Sequence, residues 1–405
     1  MHHPPLQFLH AHATHPQADM AVGLVWAQLA SRGVEAMGPT LGWCYLTDEL
    51  APQAKAVLHA LRQHLPHVAW VGASGVGVLA TGVEYFDEPA LAVMVCNLPR
   101  QEFQIFNGCQ PLKEQSAQGF VPHSALVHAD SQVPDLPDLL QELADRTRSG
   151  YLFGGITVGR HAAVHLAVDP LRPLPAEHTG VWEGGLSGVS FSAQAQLVSR
   201  MTQGCIPIGP SREITDADRN VVYELDGQPA LGCLLQDLNL LADLSTEGWE
   251  REAIPRIRNT LVGLTDADSD LMAHGQHFGG DTRVRHLIGL DPNRHGVAMG
   301  ELVEPGMRMA FCKRNVNAAR QDLIRMAAEV REEFDPQDQA EQDGPAGGLY
   351  ISCAGRGGQH FGGPHAEMAL LAHAMGEIPM VGFFAGGEIA RHHLFGYTGI
   401  LTVWG

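Results

Sequence analysis

The chain has 405 residues, 45% of them hydrophobic and 18% charged, a globular composition long enough for two domains or one large two-part domain. Its 26 Lys and Arg against 45 Asp and Glu leave a formal net charge of -19, a field that repels polyanions and argues against a nucleic-acid partner. No window reaches the roughly 18 apolar residues of a membrane span and no basic-then-apolar leader opens the chain, so no membrane association is expected and the reading is cytoplasmic.

From Leu41 the chain reads as strand LGWCYLTD, helix APQAKAVLHALRQHL, strand HVAWVGAS and, after a glycine turn, strand ALAVMVCN, a βαββ unit. From Ser124 the order returns as strand SALVHAD, helix LPDLLQELADRTR and strand GYLFGGI, followed by strands AAVHLAVD and VWEGGLSGVSF. Asp48, Gly72, Gly77 and Asp87 recur 82 positions later as Asp130, Gly154, Gly159 and Asp169, which points to an internal duplication. The turns Gly72-Ala73-Ser74-Gly75 and Gly154-Gly155-Ile156-Thr157 are then equivalent. Their small residues either let a ligand approach the backbone, with Ser74 and Gly155 in contact, or simply permit a turn.

Between the second copy and a third lie GCIPIGPSREITDADRNVVYELDG, a helix QPALGCLLQDLNLLADL, several short strands and a long helix through NAARQDLIRMAAEVREEF, the expected domain crossover. The acidic stretch from 332 to 348, rich in turn formers, reads as a helix end and exposed loop. A looser third copy closes the chain: strand GGLYISC, helix HAEMALLAHAMG, strand IPMVGFFA, two glycines and strand TGILTVW. The expected fold is α/β, with repeated βαββ units forming mixed sheets and helices on their outer faces.

The hexapeptide GQHFGG occurs at Gly275 to Gly280 and again at Gly358 to Gly363, but the first copy precedes a strand and the second a helix, so common ancestry does not follow. Only the second has the glycine-loop-to-helix layout that holds anions, and it places His360 near the end of the GGLYISC strand. No Walker motif is present, no His-Glu-x-x-His pattern appears, and His10, His12, His15, His274 and His277 lie in no convincing ligand frame; neither a metal nor a cofactor is expected. Seven cysteines without a Cys-x-x-Cys pair encode neither a disulfide framework nor a structural zinc site.

Cys353-x-Gly355-Arg356, the intervening Glu367, Gly382-Phe383-x-x-x-Gly387-Glu388-Ile389 and the closing His393-x-x-Gly396-Tyr397-Thr398 together resemble the C-terminal half of the FIST family, a sensory-domain family. ITDADRNVVYELDGQPAL is similar to that family's junction, and VGASGVG and FGGITVG to its N-terminal half. The resemblance implies two FIST-like halves, 1–226 with the internal duplication and 227–405, forming a sensor for a small ligand such as an amino acid or related metabolite. Relatives join such regions to signalling modules or to an F-box; neither is recognised here, so a separate signalling protein partner is expected to carry the output.

The residues allow specific chemistry at that C-terminal region. Arg356 and Glu388 both follow apolar strands, where clefts form; an Arg fork takes a carboxylate and a Glu takes an ammonium, so the two suit a zwitterion, or else pair with each other. Gly387 and His393, near Glu388 in sequence, and His360 are further expected ligand contacts. Cys353 is either a core residue, a ligand contact or, with a nearby His, the nucleophile of a thiol-dependent enzyme. A protein-recruiting adaptor is a further alternative.

Overall fold

A computed structural model describes residues 5–116, 119–160, 163–240, 250–267, 272–273, 277–279, 281–334 and 344–405. Gly275, Gln276 and Gly280 of the first GQHFGG and His274 lie outside them, as do the predicted end of the helix at 241–244 and most of the acidic loop. Compactness divides the chain into a discontinuous unit, residues 1–202 with 320–405, and an inserted unit, 203–319. That division runs elsewhere than the expected boundary between 226 and 227, because the third sequence copy completes sheets begun by the first two.

Three parallel strand pairs form the frame of the larger unit: Leu41–Thr47 with Ala69–Gly75, Ser124–Asp130 with Tyr151–Thr157, and Gly347–Cys353 with Met380–Ala385. Nearly every residue of these strands is buried, which explains why they read as unbroken apolar runs rather than as alternating ones. Helices connect each pair, as a parallel crossover requires. In Ala54–His64 the buried Ala54, Val57, Leu58 and Leu61 form a stripe at helical spacing, and in Leu136–Asp145 the same is true of Leu136, Leu140, Leu143 and Ala144. Ala366–Met375 completes the set.

Each pair is extended in the same way into a six-stranded sheet. The first strand of each pair takes an antiparallel return strand: Ala90–Cys96, Leu186–Phe191 and Thr398–Trp404 respectively. An outer strand then follows, Phe8–Thr14, Phe103–Phe106 or Leu197–Gln203. On the other side sits a short hairpin that belongs, in sequence, to a different copy. Gly77–Ala80 and Val83–Phe86 leave the first copy to pair with Met380–Ala385; His165–Val168 and Val181–Trp182 leave the second to pair with Ala69–Gly75; Glu388–Ala390 and His393–Phe395 leave the third to pair with Tyr151–Thr157.

Several sequence expectations change here. The simple βαββ unit becomes strand, helix, strand, exchanged hairpin and return strand. A strand, Phe8–Thr14, and a helix, Ala18–Ser31, precede Leu41. The single strand expected over VWEGGLSGVSF is two, in different sheets, parted at Gly184 and Gly185, both with positive φ. Gly72–Gly75 and Gly154–Thr157 lie inside the strands Ala69–Gly75 and Tyr151–Thr157 and not in turns, but Gly72 and Gly154 are equivalent as expected, and Gly382 is their third counterpart. A Cβ at these positions would lie 1.8 Å from the Cys44 carbonyl oxygen, 1.9 Å from that of Val127 and 1.7 Å from that of Tyr350, so the parallel partner passes too close for any side chain. Asp48 and Asp130, in contrast, are out of step: Thr47 pairs with Gly75 whereas Asp130 itself pairs with Thr157, so Asp130 occupies the place of Thr47.

The three sheets share one core, in which Trp43, Tyr45, Phe153, Phe191, Phe383 and Trp404 are buried together. The inserted unit is built differently. Arg308–Arg314, Arg212–Asp218, Val221–Leu225, Gly296–Met299, Arg283–Asp291 and Leu261–Thr265 follow one another as antiparallel neighbours, and Leu261–Thr265 pairs back to Arg308–Arg314 to close the ring. Ala230, Cys233 and Leu234 of the helix Ala230–Asp237 pack into its core. The long helix Val316–Glu333 leads back to the larger unit.

Candidate functional site

The strand Gly347–Cys353 ends in a tight turn in which the Arg356 and Gly357 amides donate to the Cys353 carbonyl, at 2.8 and 3.3 Å. This turn carries Arg356 inward, where it is 1% exposed. Its Nε donates to Glu367 Oε1 at 2.8 Å, one terminal nitrogen donates to Thr202 Oγ1 at 3.1 Å, and the other faces the carbonyls of Tyr397 and Thr202 at 3.4 and 3.5 Å. The Phe361 ring lies 5.1 Å beneath the guanidinium carbon. The carboxylate partner of Arg356 is therefore Glu367, not Glu388.

Glu367 is fully buried and accepts from Tyr350 Oη at 2.6 Å and from Ser352 Oγ at 3.1 Å as well as from Arg356. A buried pair of this kind needs such additional donors to offset its desolvation. One signal for Glu367 is present in the sequence: Glu367 and Leu371 lie one turn apart on a helix face whose other buried residues are apolar, a position a carboxylate occupies only with a partner.

The second GQHFGG forms the short 3-10 turn Gly358–Phe361. The helix start that follows is filled from within the chain. Glu84, on an exchanged hairpin, accepts from the Gly358 amide at 3.2 Å and from the Met368 amide at 3.0 Å, while its own amide donates to His365 Nδ1 at 3.0 Å. Burial raises the Glu84 carboxyl and the Met368 amide opposes the rise. The anion that this glycine loop holds is thus a side chain. His360 is half-buried with its ring edge-on to Phe361, whose own ring underlies Arg356.

Glu388 opens the third exchanged hairpin and lies opposite Gly155 in antiparallel register. It is fully buried. Oε2 accepts from Thr398 Oγ1 at 2.5 Å and from the Thr398 amide at 3.2 Å, whereas Oε1 has no hydrogen-bond partner among the described residues. Burial pushes this carboxyl up to about 8, with Thr398, the Arg356 charge and the Cys353 thiol pulling the other way. Close packing surrounds it: a Cβ on Gly155 would lie 2.7 Å from that of Ala385, and the Gly387 carbonyl accepts from the Ile156 amide at 2.8 Å.

Cys353 is buried beside Glu388, and desolvation followed by the Glu388 charge pushes its thiol up to about 12. A nucleophilic thiol requires the opposite shift, so nothing in this geometry activates Cys353. His393, on the second strand of the hairpin, is half-buried with its ring 3.9 Å from that of His392. Ser74 is engaged elsewhere: its hydroxyl oxygen accepts from the Val164 amide at 2.9 Å and faces the Val164 carbonyl at 3.2 Å. The structure thus gathers Cys353, Arg356, Gly155, Gly387 and Glu388 around one buried polar cluster that also includes Tyr350, Ser352, Glu367 and Thr398.

Comparison with known proteins matches this arrangement to two family models, the FIST N domain over residues 40–228 and the FIST C domain over residues 230–391. An uncharacterised protein of Mycobacterium tuberculosis (strain H37Rv) is 30% identical over 384 residues, 92% of each chain. An uncharacterised protein of Mycobacterium bovis is 29% identical over 377 residues, 87% of each. Among solved structures, a cyanuric acid hydrolase from A. caulinodans is similar at 10% identity over 98% of this chain and 99% of its own, with a TM-score of 0.29, a likeness too low to equate the folds.

Proposed function

The chain belongs to the FIST family, whose domains are sensory and thought to bind small ligands, and from that premise we propose that it is a small-ligand sensor that reads an amine-bearing metabolite, such as an amino acid, through Glu388. One observation carries the choice of residue: the buried Oε1 of Glu388 has no hydrogen-bond partner among the described residues. Buried polar atoms are nearly always paired, and an unpaired one at a polar cluster is where a ligand or water completes the set.

The protonation state fits the same role. A carboxyl pushed up to about 8 is largely neutral at pH 7, which limits the cost of leaving Oε1 unpaired. An arriving ammonium charges the carboxyl and pairs with it, so binding and proton release are coupled. Arg356 has a different part in this reading. Its donors are engaged by Glu367, Thr202 and backbone carbonyls, so it holds the turn that carries Cys353 and steadies the electrostatics of the cluster instead of gripping a ligand carboxylate. Output passes to a separate signalling partner.

A thermal-shift screen of amino acids and related amines tests the proposal on the full chain. At least one amine is expected to raise the melting temperature of the wild type, and Glu388→Gln to abolish the shift. A folded wild type that responds to no amine, or a Glu388→Gln protein that responds equally well, overturns it.

A further inference from the structure

We infer that Cys205 and Cys312, both in the inserted unit, form a reversible oxidation site at which a peroxide converts two thiols into one disulfide. The three-residue strand Cys205–Pro207 pairs antiparallel with Arg308–Arg314, Cys205 opposite Arg314 and Pro207 opposite Cys312. Residues directly opposite, and residues two apart on one strand, share a face, so Cys205 and Cys312 are diagonal neighbours on the same face. Their thiols lie within hydrogen-bonding reach of each other, and the Cys312 thiol is raised by burial first and then by that contact. Burial also raises the thiols of Cys44, Cys96, Cys233 and Cys353, but no second thiol contributes at any of them. Cys205 and Cys312 stand near opposite ends of the inserted unit in sequence, a pairing that cysteine spacing does not disclose.

Exposure orders the chemistry. Cys205 is 4% exposed and Cys312 is fully buried. Cys205 also begins the strand at the end of its sheet, and a short terminal strand opens locally more readily than the closed ring beside it. The Cys205 sulfur therefore meets the peroxide first. It attacks one peroxide oxygen, the O–O bond breaks, and Cys205 becomes a sulfenic acid as the first water leaves. Burial keeps Cys312 a protonated thiol, poor at attacking peroxide itself but adjacent to the new sulfenic acid. Its sulfur attacks the Cys205 sulfur, the S–O bond breaks, and the hydroxyl departs with the Cys312 proton as the second water. Two thiols have given up two electrons and two protons, and one peroxide has become two waters. Closing a bond of about 2 Å requires the sulfurs to approach from hydrogen-bonding distance, a movement available to the terminal strand.

The bond would tie this strand to Arg308–Arg314 and enclose residues 206–311, nearly all of the unit that spans 203–319. Long closed loops restrict the unfolded chain most, so the oxidised protein is expected to be the more heat-resistant form.

Peptide mapping of the full chain tests the site. The reduced protein is treated with hydrogen peroxide, its remaining thiols are alkylated in denaturant, and it is digested with trypsin without reductant. A linked pair of peptides 201–212 and 309–313 is expected, released by dithiothreitol and absent from Cys205→Ser and Cys312→Ser. The wild-type map decides the question even where a variant fails to fold. The melting temperature of the oxidised wild type is expected to exceed that of the reduced by about 5 °C or more. Recovery of both cysteines as alkylated thiols, linkage of Cys205 to any other cysteine, or a sulfinic acid at Cys205 with Cys312 still free overturns the inference. Equal melting of the two forms overturns the stabilising effect.

Discussion

Glu388 and Arg356 sit in the same buried cluster yet solve the problem of a buried charge in opposite ways. Arg356 keeps its charge by pairing with Glu367, which is itself supported by Tyr350 and Ser352. Removing one member leaves the other charged and uncompensated, so Arg356→Met or Glu367→Gln is expected to cost about 3–5 kcal/mol, measured by urea unfolding, and the double variant less than the sum. Glu388 meets burial by holding its proton: the carboxyl rises from the ordinary 4.5 to about 8. A raised folded pKa contributes stability that is fully present below 4.5 and is lost as pH rises through 8. Glu388→Gln should therefore flatten the decline in melting temperature between pH 6 and pH 8.5, and an unchanged slope would remove Glu388 from that role. The cysteines divide just as sharply. Cys109 is exposed and the other six are buried, so iodoacetamide should modify Cys109 in the native protein long before Cys353.

At the scale of elements, the close approach at Gly72, Gly154 and Gly382 is the feature common to all three copies. Alanine at any of them drives a methyl into the carbonyl of the parallel partner strand, and Gly382→Ala is expected to cost roughly 2–3 kcal/mol or more by chemical denaturation. The parallel pairs were legible in the sequence because burial on both faces leaves unbroken apolar runs, and SALVHAD, GGLYISC and TGILTVW match observed strands end to end. The exchanged hairpins were not. Gly77–Ala80 and Val83–Phe86 are four residues each, and their destination, the edge of Met380–Ala385, is set by tertiary packing rather than by any local pattern. For the same reason Arg356 and Glu388 were legible as strand-end charges while the true partner of Arg356 was not. Pairing depends on how the helix Ala366–Met375 lies over the sheet, which spacing in the sequence does not reveal.

Taken whole, the larger unit is closed by its last segment. Residues 320–405 supply three strands of one six-stranded sheet and lend a hairpin to another, so the order of sequence copies differs from the division into compact units. Two histidines, the fully buried His128 and the half-buried His10, are shifted in the same direction. His128 is held down at about 3 by burial and then by His165, and His10 at about 4 by burial, Arg32 and His12. Depressed pKa values contribute stability that is present above the ordinary 6.5 and is lost as pH falls through the folded values, so stability should decline on acidification below pH 6.5 while Glu388 acts in the opposite sense. Cooperative loss of both units would contradict neither statement, since each is read from the pH dependence. The central claim, that Glu388 exchanges its proton for an amine ligand, is tested most directly by titration calorimetry of an amine identified in the thermal screen, at pH 7 in buffers of different ionisation enthalpy. Buffer-dependent heats showing proton release by the wild type, with no binding by Glu388→Gln, are the predicted result; amine binding with no proton release and equal affinity in the variant would contradict it.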